Sequence, residues 1–453
     1  MSEKYHFIAV GGVGMSGLAK YLLQKGFEVS GSDISDSKYI QQLRDLGGKI
    51  FIGHDADNVP DGAIVVVSSA IRESNPELKR AREKGLTVYH RSDLLAEISR
   101  SDKCFIGYSG THGKTTTSGM ASYILSMAGE NPSYVVGGII PDLHTNADYN
   151  SKGKHFVAEL DESDGTIVKY SPNVIVVNNL EADHLDFYKN GLESVLDTFN
   201  EFLDKNSGAK VLINVDNSGV IQLKKASSYI TYGLKTADYT AQNIVYNHGF
   251  TTFDVYHRGD ILTSVKIILP GEHNVYNALA VIASINEAGC ADIKECAKYL
   301  SKFSGMGRRF QKVGEIGSID IYDDYAHHPT EIKSTLSAMK SFTDKKIIAV
   351  FQPHRYTRLK SLWNDFIGAL TSADRIIVTD VYAASEDSID GINSGRFASE
   401  SGAEYIPGSM EDVARSLLPT LSDNSVVIGL GAGTITNLGN ELIKISKNLT
   451  KVN

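Results

Sequence analysis

A chain of 453 residues suggests about three domains, at roughly 150 residues each. Hydrophobic residues make up 42% and charged residues 22%, which suits a packed globular protein and is too apolar for wholesale disorder. Lysine and arginine total 45 against 54 aspartate and glutamate, a formal charge of −9 that argues against coating nucleic acid while leaving anionic small ligands open.

From the amino terminus, Tyr5 to Val10 is an apolar run bounded by glycines, and Gly14 to Gln24 carries Met15, Leu18, Leu22 and Leu23 at helical spacing. Phe27 to Ser30 and Ala63 to Val67 read as further strands, and Pro76 to Lys84 as a helix. This alternation predicts a parallel sheet with crossover helices. The pattern restarts at Lys103 to Gly107. It restarts again near Gly307, with strands expected at Ile319–Tyr322, Ile347–Phe351, Arg375–Thr379 and Val426–Leu430. The expected division is therefore 1–100, 101–305 and 306–453. No run approaches the ~18 apolar residues of a membrane span, and MSEKYHFIAV lacks the layout of a secretory signal. Cys104, Cys290 and Cys296 are too scattered for a disulfide framework or zinc cluster, so reduced thiols in a cytoplasmic protein are expected.

The strongest local signal is Gly110-Thr-His-Gly-Lys-Thr-Thr-Thr117, between an apolar run and the helical stretch Ser118 to Met127. A strand, a glycine turn and a helix start offer backbone N–H groups to an anion, and the helix dipole favours negative charge there. Lys114 is placed to reach the β- and γ-phosphates of ATP, and Thr115 to ligate Mg²⁺. The general phosphate loop wants glycine five places before Gly113; Tyr108 stands there, with Gly107 and Gly110 beside it. Downstream, His155 to Ala158 is a short strand delivering Glu159, then Asp161, Glu162 and Asp164. Val174 to Val177 is another, releasing Asn178, Asn179, Glu181, Asp183 and His184. A carboxylate at such a strand end is what a nucleotide-bound Mg²⁺ needs.

Gly12-Val-Gly14-Met-Ser-Gly17 is a second glycine-rich turn after a strand, with Asp33 after the next strand. Taken mechanically this is a dehydrogenase fingerprint. The motif physically specifies only a diphosphate on a helix N-terminus and a nearby sugar hydroxyl, which a UDP-sugar also offers. An ATP site plus a nucleotide-linked substrate fits two such turns better than redox chemistry. In the third unit, four strand ends carry Asp323-Asp-Tyr-Ala-His-His-Pro329, Gln352-Pro-His-Arg-Tyr-Thr-Arg358, Asp380-Val-Tyr-Ala-Ala384 and Gly431-Ala-Gly-Thr434. Arg355 and Arg358 read as a fork for carboxylate or phosphate. Arg309 at the inter-unit hinge is placed to meet a γ-phosphate in the manner of an arginine finger.

GGVGMSG (11–17), SGSD (30–33), SSAI (68–71), GTHGKTTT (110–117), AELDESD (158–164), NNLEADHLD (178–186), GEHNVYNALA (271–280), GMGRRF (305–310), DDYAHHPTE (323–331), QPHRYTR (352–358), DVYAASE (380–386) and GAGTIT (431–436) follow in one order over essentially the whole chain. With these blocks the sequence resembles the Mur ligases of peptidoglycan synthesis. The resemblance implies an α/β protein with an N-terminal Rossmann-like domain for a UDP-sugar, a central P-loop ATPase-type domain and a C-terminal Rossmann-like domain closing over ATP and amino acid. It implies ATP, Mg²⁺, UDP-N-acetylmuramate and L-alanine as ligands, and a monomer or weak homodimer. Gly110, Thr111, His112, Gly113, Lys114, Thr115, Thr116, His273, Asn274, Asn277, Arg309, Asp324 and Tyr325 match its nucleotide contacts, with Tyr325 stacking on the base. Thr115 and Glu159 match its ligands to one Mg²⁺, with His184 near a second. Gly12, Val13, Gly14, Met15, Ser16, Asp33, His54 and Ser69 match the UDP pocket; His327, His354, Arg355 and Arg358 match the face closing over the substrates. Lys114, His184, Arg309, His327 and Arg355 are the expected catalytic groups, with the amine's general base open between His184 and His327. Two departures stand out. Ala9 replaces an expected glycine, a mild change. The modified lysine of relatives that add later amino acids has no counterpart in Leu192 to Phe202.

Overall fold

The computed structural model describes residues 3–100, 103–184, 187–247, 249–384 and 386–450. Leu185 and Asp186 of NNLEADHLD, and Ser385 of DVYAASE, lie outside them. Strands β1 (Lys4–Ile8), β2 (Glu28–Asp33), β3 (Lys49–Ile52), β4 (Ile64–Val67) and β5 (Val88–His90) form a parallel sheet of order β3-β2-β1-β4-β5. The chain reverses its direction of growth across β1, and such a switch point opens a crevice at the carboxyl ends of the strands. Helix Val13–Lys25 starts at that crevice and ends on Gly26, whose φ of 93° is the left-handed cap glycine favours.

The second sheet is assembled from β6 (Cys104–Ser109), β7 (Ser133–Ile140), β8 (Thr145–Asp148), β9 (His155–Glu159), β10 (Val174–Val177), β11 (Lys210–Asn214), β12 (Ile230–Gly233), β13 (Tyr239–Asn247), β14 (Phe250–His257) and β15 (Asp260–Ile267). Its order is β15-β14-β13-β12-β11-β10-β6-β9-β7-β8. β6 lies between β10 and β9, both parallel to it, with Ser109 opposite Val177 and Tyr108 opposite Glu159. Three strand ends therefore meet at one edge, and the two acidic loops flank the glycine–lysine turn. Here β13 to β15 extend the sheet beyond the βα pattern; β14 alternates buried and part-buried positions, the mark of a strand with one covered face.

The third sheet takes β16 (Gln311–Ile316), β17 (Ile319–Asp324), β18 (Lys346–Phe351), β19 (Arg375–Val378), β20 (Glu404–Tyr405) and β21 (Ser425–Leu430) in the order β16-β17-β21-β18-β19-β20. All neighbours are parallel except β16 with β17. Asp324 and Phe351 are both in register with Leu430, and Phe351 with Val378, so four polar loops leave one edge together.

By compactness the chain forms two units, Met1–Ile244, Thr252–Ile267 and Val275–Ser304 in one, and Val245–Thr251, Ile268–Asn274 and Gly305–Asn453 in the other. In the first, the leading two sheets share a core: Phe7 and Tyr21 belong to the same buried cluster as Phe105, Phe156 and Ile175. Tyr21 meets Tyr149 and Phe156 edge-on at 5.2 and 5.8 Å, contacts worth about 0.5–1.5 kcal/mol each beyond their burial. Among the described residues, no helix is long and apolar enough to cross a membrane.

Candidate functional site

The turn after β6 is shaped by its glycines. Gly110 has φ of 120°, and a Cβ there would fall 2.8 Å from the Asn179 carbonyl oxygen and 2.9 Å from its nitrogen. Gly113 is left-handed at 84° and faces Asn277 and Asn178. Asn179 clasps the turn: its carbonyl accepts from Thr111 N–H at 2.9 Å and its Oδ1 accepts from His112 N–H at 2.7 Å. The Thr111 hydroxyl in turn accepts from Glu181 N–H at 2.9 Å. The Thr111 and His112 amides thus secure the loop. Backbone donors for an anion narrow to the start of helix Lys114–Met127, whose first N–H groups, with Thr116 among them, have no partner within the helix.

Lys114 does not point to solvent. Its Nζ donates to the Gly110 and Thr111 carbonyls at 2.6 and 3.1 Å and pairs with Glu162 at 2.9 Å. Burial opposes its charge, but Glu162, Asp161 and Glu159 outweigh burial and hold the ammonium above its usual range. Burial pushes the Glu162 carboxyl up further than Lys114 pulls it down. Next to Lys114, Thr115 Oγ1 donates to Glu159 Oε2 at 2.9 Å, and Gly137 N–H reaches the same oxygen at 3.0 Å. Hydroxyl and carboxylate oxygens held side by side are donors a hard divalent cation accepts. His184, at φ of 51°, has its ring 3.7 Å from Asp183. Among the described residues no hydrogen bond or ion pair joins it to Thr115 or Glu159.

The amino-terminal turn is more open. Gly12 caps its helix at φ of −69°, and nothing lies within 4 Å of a Cβ built there. Ser16 donates its amide to the Gly12 carbonyl and its hydroxyl to that of Val13. Met15 has its side chain in the core, leaving the amides of Val13, Gly14 and Met15 as the helix-start donors. Asp33 ends β2 as expected, and its Oδ2 accepts Gly11 N–H at 2.8 Å. His54 Nδ1 lies 2.8 Å from Ser32 Oγ and 3.3 Å from Glu77 Oε2, in a buried network that also includes His6. Ser69 Oγ donates to Asp164 at 3.2 Å, across to the second sheet's acidic loop. Ala9 is corrected: with φ of 61° it occupies the left-handed region, so its replacement of glycine is a strained position rather than a mild change.

In the third sheet the expected Arg355–Arg358 fork is absent. Arg355 Nε donates to Glu386 Oε1 at 2.5 Å, whereas Arg358 Nη1 sits 3.3 Å from His354 Nδ1. Asp324 turns inward: its carboxylate accepts Phe310 N–H at 2.8 Å and Ala326 N–H at 2.7 Å, and burial pushes its pKa up to about 6. These bonds make it a brace for the loop. The Tyr325 ring already carries the guanidinium groups of Arg308 and Arg309 at 4.8 and 5.2 Å. His327 and His354 lie 5.8 Å apart between ring centres. Burial lowers His327 to about 4, and lowers His354 to about 3 with help from His327 and Arg358. His273, solvent-exposed, lies 3.0 Å from Ser334 Oγ and is bonded to Asn274. The His327 and His354 imidazoles are neutral at physiological pH.

Sequence reasoning passed over Arg91, which pairs with Asp161. The available signal was a basic residue at a helix start after a strand of the first sheet. It also passed over Glu77, whose isolated carboxylate in a helix has no distinguishing motif.

Three α/β sheets in this order, the middle one bearing the glycine–lysine–threonine turn, match three successive family descriptions. These are "Mur ligase family, catalytic domain" over residues 4–103, "Mur ligase middle domain" over 109–285 and "Mur ligase, glutamate ligase domain" over 308–433. The chain belongs to the Mur ligase family. Within it, the chain is 42% identical to the UDP-N-acetylmuramate–L-alanine ligase of Geotalea daltonii and 43% identical to that of Hydrogenobaculum sp., covering 98% of both chains in each case. The crystal structure of UDP-N-acetylmuramate–alanine ligase from Thermotoga maritima superimposes with a TM-score of 0.85 at 30% identity, over 98% of this chain and 99% of that one.

Proposed function

We propose that the protein is an ATP-dependent ligase joining L-alanine to the lactoyl carboxylate of UDP-N-acetylmuramate, with release of ADP and phosphate, in cell-wall precursor synthesis. The relatives sharing 42–43% of residues over 98% of the length bear that activity in their names. The observation that carries the chemistry is Lys114, buried at the end of β6 beside the Thr115–Glu159 pair.

A bare carboxylate has no competent leaving group for amide formation. The γ-phosphoryl group of ATP is therefore transferred to a carboxylate oxygen, giving an acyl phosphate and ADP. The alanine amine then attacks the carbonyl carbon, the C–O bond to phosphate breaks, and the amine loses a proton. Phosphoryl transfer onto an anion requires charge neutralisation, assigned here to Lys114 and Arg309. Thr115 and Glu159 would hold one Mg²⁺, with His184 near a second, as the family resemblance implies. These ions would supply further neutralisation of phosphate oxygens. Gly110, Gly113 and Thr116 shape the phosphate seat, while Asn277, His273, Asn274 and Tyr325 serve the rest of the nucleotide. The amides of Val13, Gly14 and Met15 take the UDP diphosphate, with Asp33, His54 and Ser69 around it. His354, Arg355 and Arg358 serve the amino-acid end. His184 or His327 accepts the amine proton; at about 4, His327 is ready to accept but is a weak base.

The test is phosphate release from ATP in the presence of UDP-N-acetylmuramate and each of a panel of amino acids. Release that needs both co-substrates and is fastest with L-alanine is expected. Release without the amino acid, or a better acceptor of another class, overturns the assignment.

A further inference from the structure

Arg91 opens helix Arg91–Ser99 directly after β5, and two independent placements converge on its guanidinium. One arm is fixed: Nη2 donates to Asp161 Oδ2 in the loop after β9. The other faces the amino-terminal glycine turn, since a Cβ on Gly14 would lie 3.6 Å from Arg91 Nη1. Among the described residues Asp161 is the sole polar partner of this guanidinium, and the planar fork leaves further N–H groups for a second anion. The surroundings are rigid. Asn146 Nδ2 donates to the Val13 carbonyl at 2.7 Å, and a Cβ on Gly17 would fall 2.9 Å from that same nitrogen. Lys20 and Gln24 of the same helix reach Thr145 at 2.5 Å and Asp148 at 2.6 Å. Beside Arg91, His90 Nε2 is 3.8 Å from Asp164 and 3.1 Å from Ser69 Oγ.

Asp161 feels both Arg91 and Lys114, which outweigh burial and keep its carboxyl well below the usual carboxylate range. A line of alternating charge therefore runs from the glycine turn through Arg91 and Asp161 to Lys114. The turn itself carries no cation; helix-start amides alone receive an anion there.

We infer that Arg91 is the cationic anchor of the amino-terminal cradle: it grips the diphosphate of a nucleoside-diphosphate substrate, with Asp161 fixing the guanidinium toward Gly14. This rests on the reading of that cradle as a UDP-sugar site. Asp161 acts through Arg91 and is a positioning residue.

The test measures UDP and ADP binding by calorimetry for the wild type, Arg91→Gln and Arg91→Lys, with melting temperatures alongside. Arg91→Gln is expected to weaken UDP about 10- to 100-fold, the range of a lost charge-assisted hydrogen bond, with ADP affinity unchanged. Arg91→Lys keeps the charge, loses the fork and falls between. Asp161→Asn is expected to weaken UDP less than Arg91→Gln does. Equal UDP affinity in wild type and Arg91→Gln overturns the anchor while leaving the cradle reading intact. Parallel losses for UDP and ADP with a lowered melting temperature in both Arg91 variants reduce Arg91 to a structural pairing and also overturn it. A wild type that binds ADP but not UDP removes the cradle reading and this inference together.

Discussion

The chain builds the same local device twice, a strand, a glycine turn and a helix start, and the two copies differ in everything around them. The turn at Gly12 is open above its cap and has no charged side chain within it. The turn at Gly110 is clasped by Asn179 from a neighbouring strand end, contains a buried lysine and abuts two carboxylates. Backbone amides and a helix dipole suffice to seat a diphosphate. Moving a phosphoryl group also demands fixed positive charge in a place shielded from water, and that requires counter-charges from other strands. The proposed function thus gives one motif a holding role in the first sheet and a chemical one in the second.

Removing Lys114 separates the two turns most sharply. Lys114→Ala is expected to lower turnover about 10²- to 10³-fold or more, with UDP-N-acetylmuramate binding nearly intact in a folded protein; loss of both would falsify the partition. The same change leaves Glu162 buried without its partner, where burial favours its protonated form, costing about 1–3 kcal/mol. Adding Glu162→Gln is expected to recover most of that in a denaturation experiment without recovering turnover.

Backbone crowding gives the next contrast. Gly110→Ala forces a Cβ against the Asn179 backbone at an unfavourable φ and is expected to cost about 2–3 kcal/mol. Gly12→Ala has ordinary φ and empty space, and its effect on stability is expected to stay within about 0.5 kcal/mol. Equal melting losses would show that the openness of the first turn is not real.

Beneath the first turn, burial works to raise Glu77, but the nearby His6 imidazole, 3.8 Å away, and hydrogen bonds from Ser32 and Asn58 outweigh it and hold it at about 2 against an ordinary 4.5. A depressed carboxyl stabilises the folded state above its unfolded pKa and loses that contribution as pH falls toward the folded one. Wild type is therefore expected to lose about 3 kcal/mol between pH 4.5 and 2, and Glu77→Gln to show a flatter acid limb in urea midpoints. Coincident acid limbs would remove Glu77 as their source. A smaller effect than these losses is expected at Ala9, where Ala9→Gly should stabilise by about 1 kcal/mol through relief of the left-handed backbone. A lowered melting temperature would contradict that strain.

Much of the fold was legible because its signals are local. Runs such as Val174–Val177 have their strand range in the residues themselves, and successive glycine turns mark the parallel units. β13 to β15 escaped notice because their alternation mixes polar with apolar residues, and only packing in the folded chain covers one face, as along β14. That Lys114, Thr115 and Glu159 would stand together could be read from the strand ends in advance. Asp324 could not be separated from its neighbour, because whether a strand-end carboxylate faces a ligand or its own backbone depends on the loop fold. The Arg355 and Arg358 fork failed for a similar reason: spacing along a short helix does not reveal Glu386, 31 residues from Arg355, which takes one of them.

The sequence by itself determined the kind of chain this is: glycine turns after strands, a lysine in one of them, acidic strand ends, and the order that makes it a Mur ligase. Those features depend on residue type and near spacing, which local backbone geometry converts directly into structure. Tertiary structure alone decided which amides stay available, that Lys114 rests against Glu162, and that Arg91 stands between a glycine turn and Asp161. Each of those depends on groups tens of residues apart meeting in a low-dielectric interior, where partner and distance outweigh residue identity.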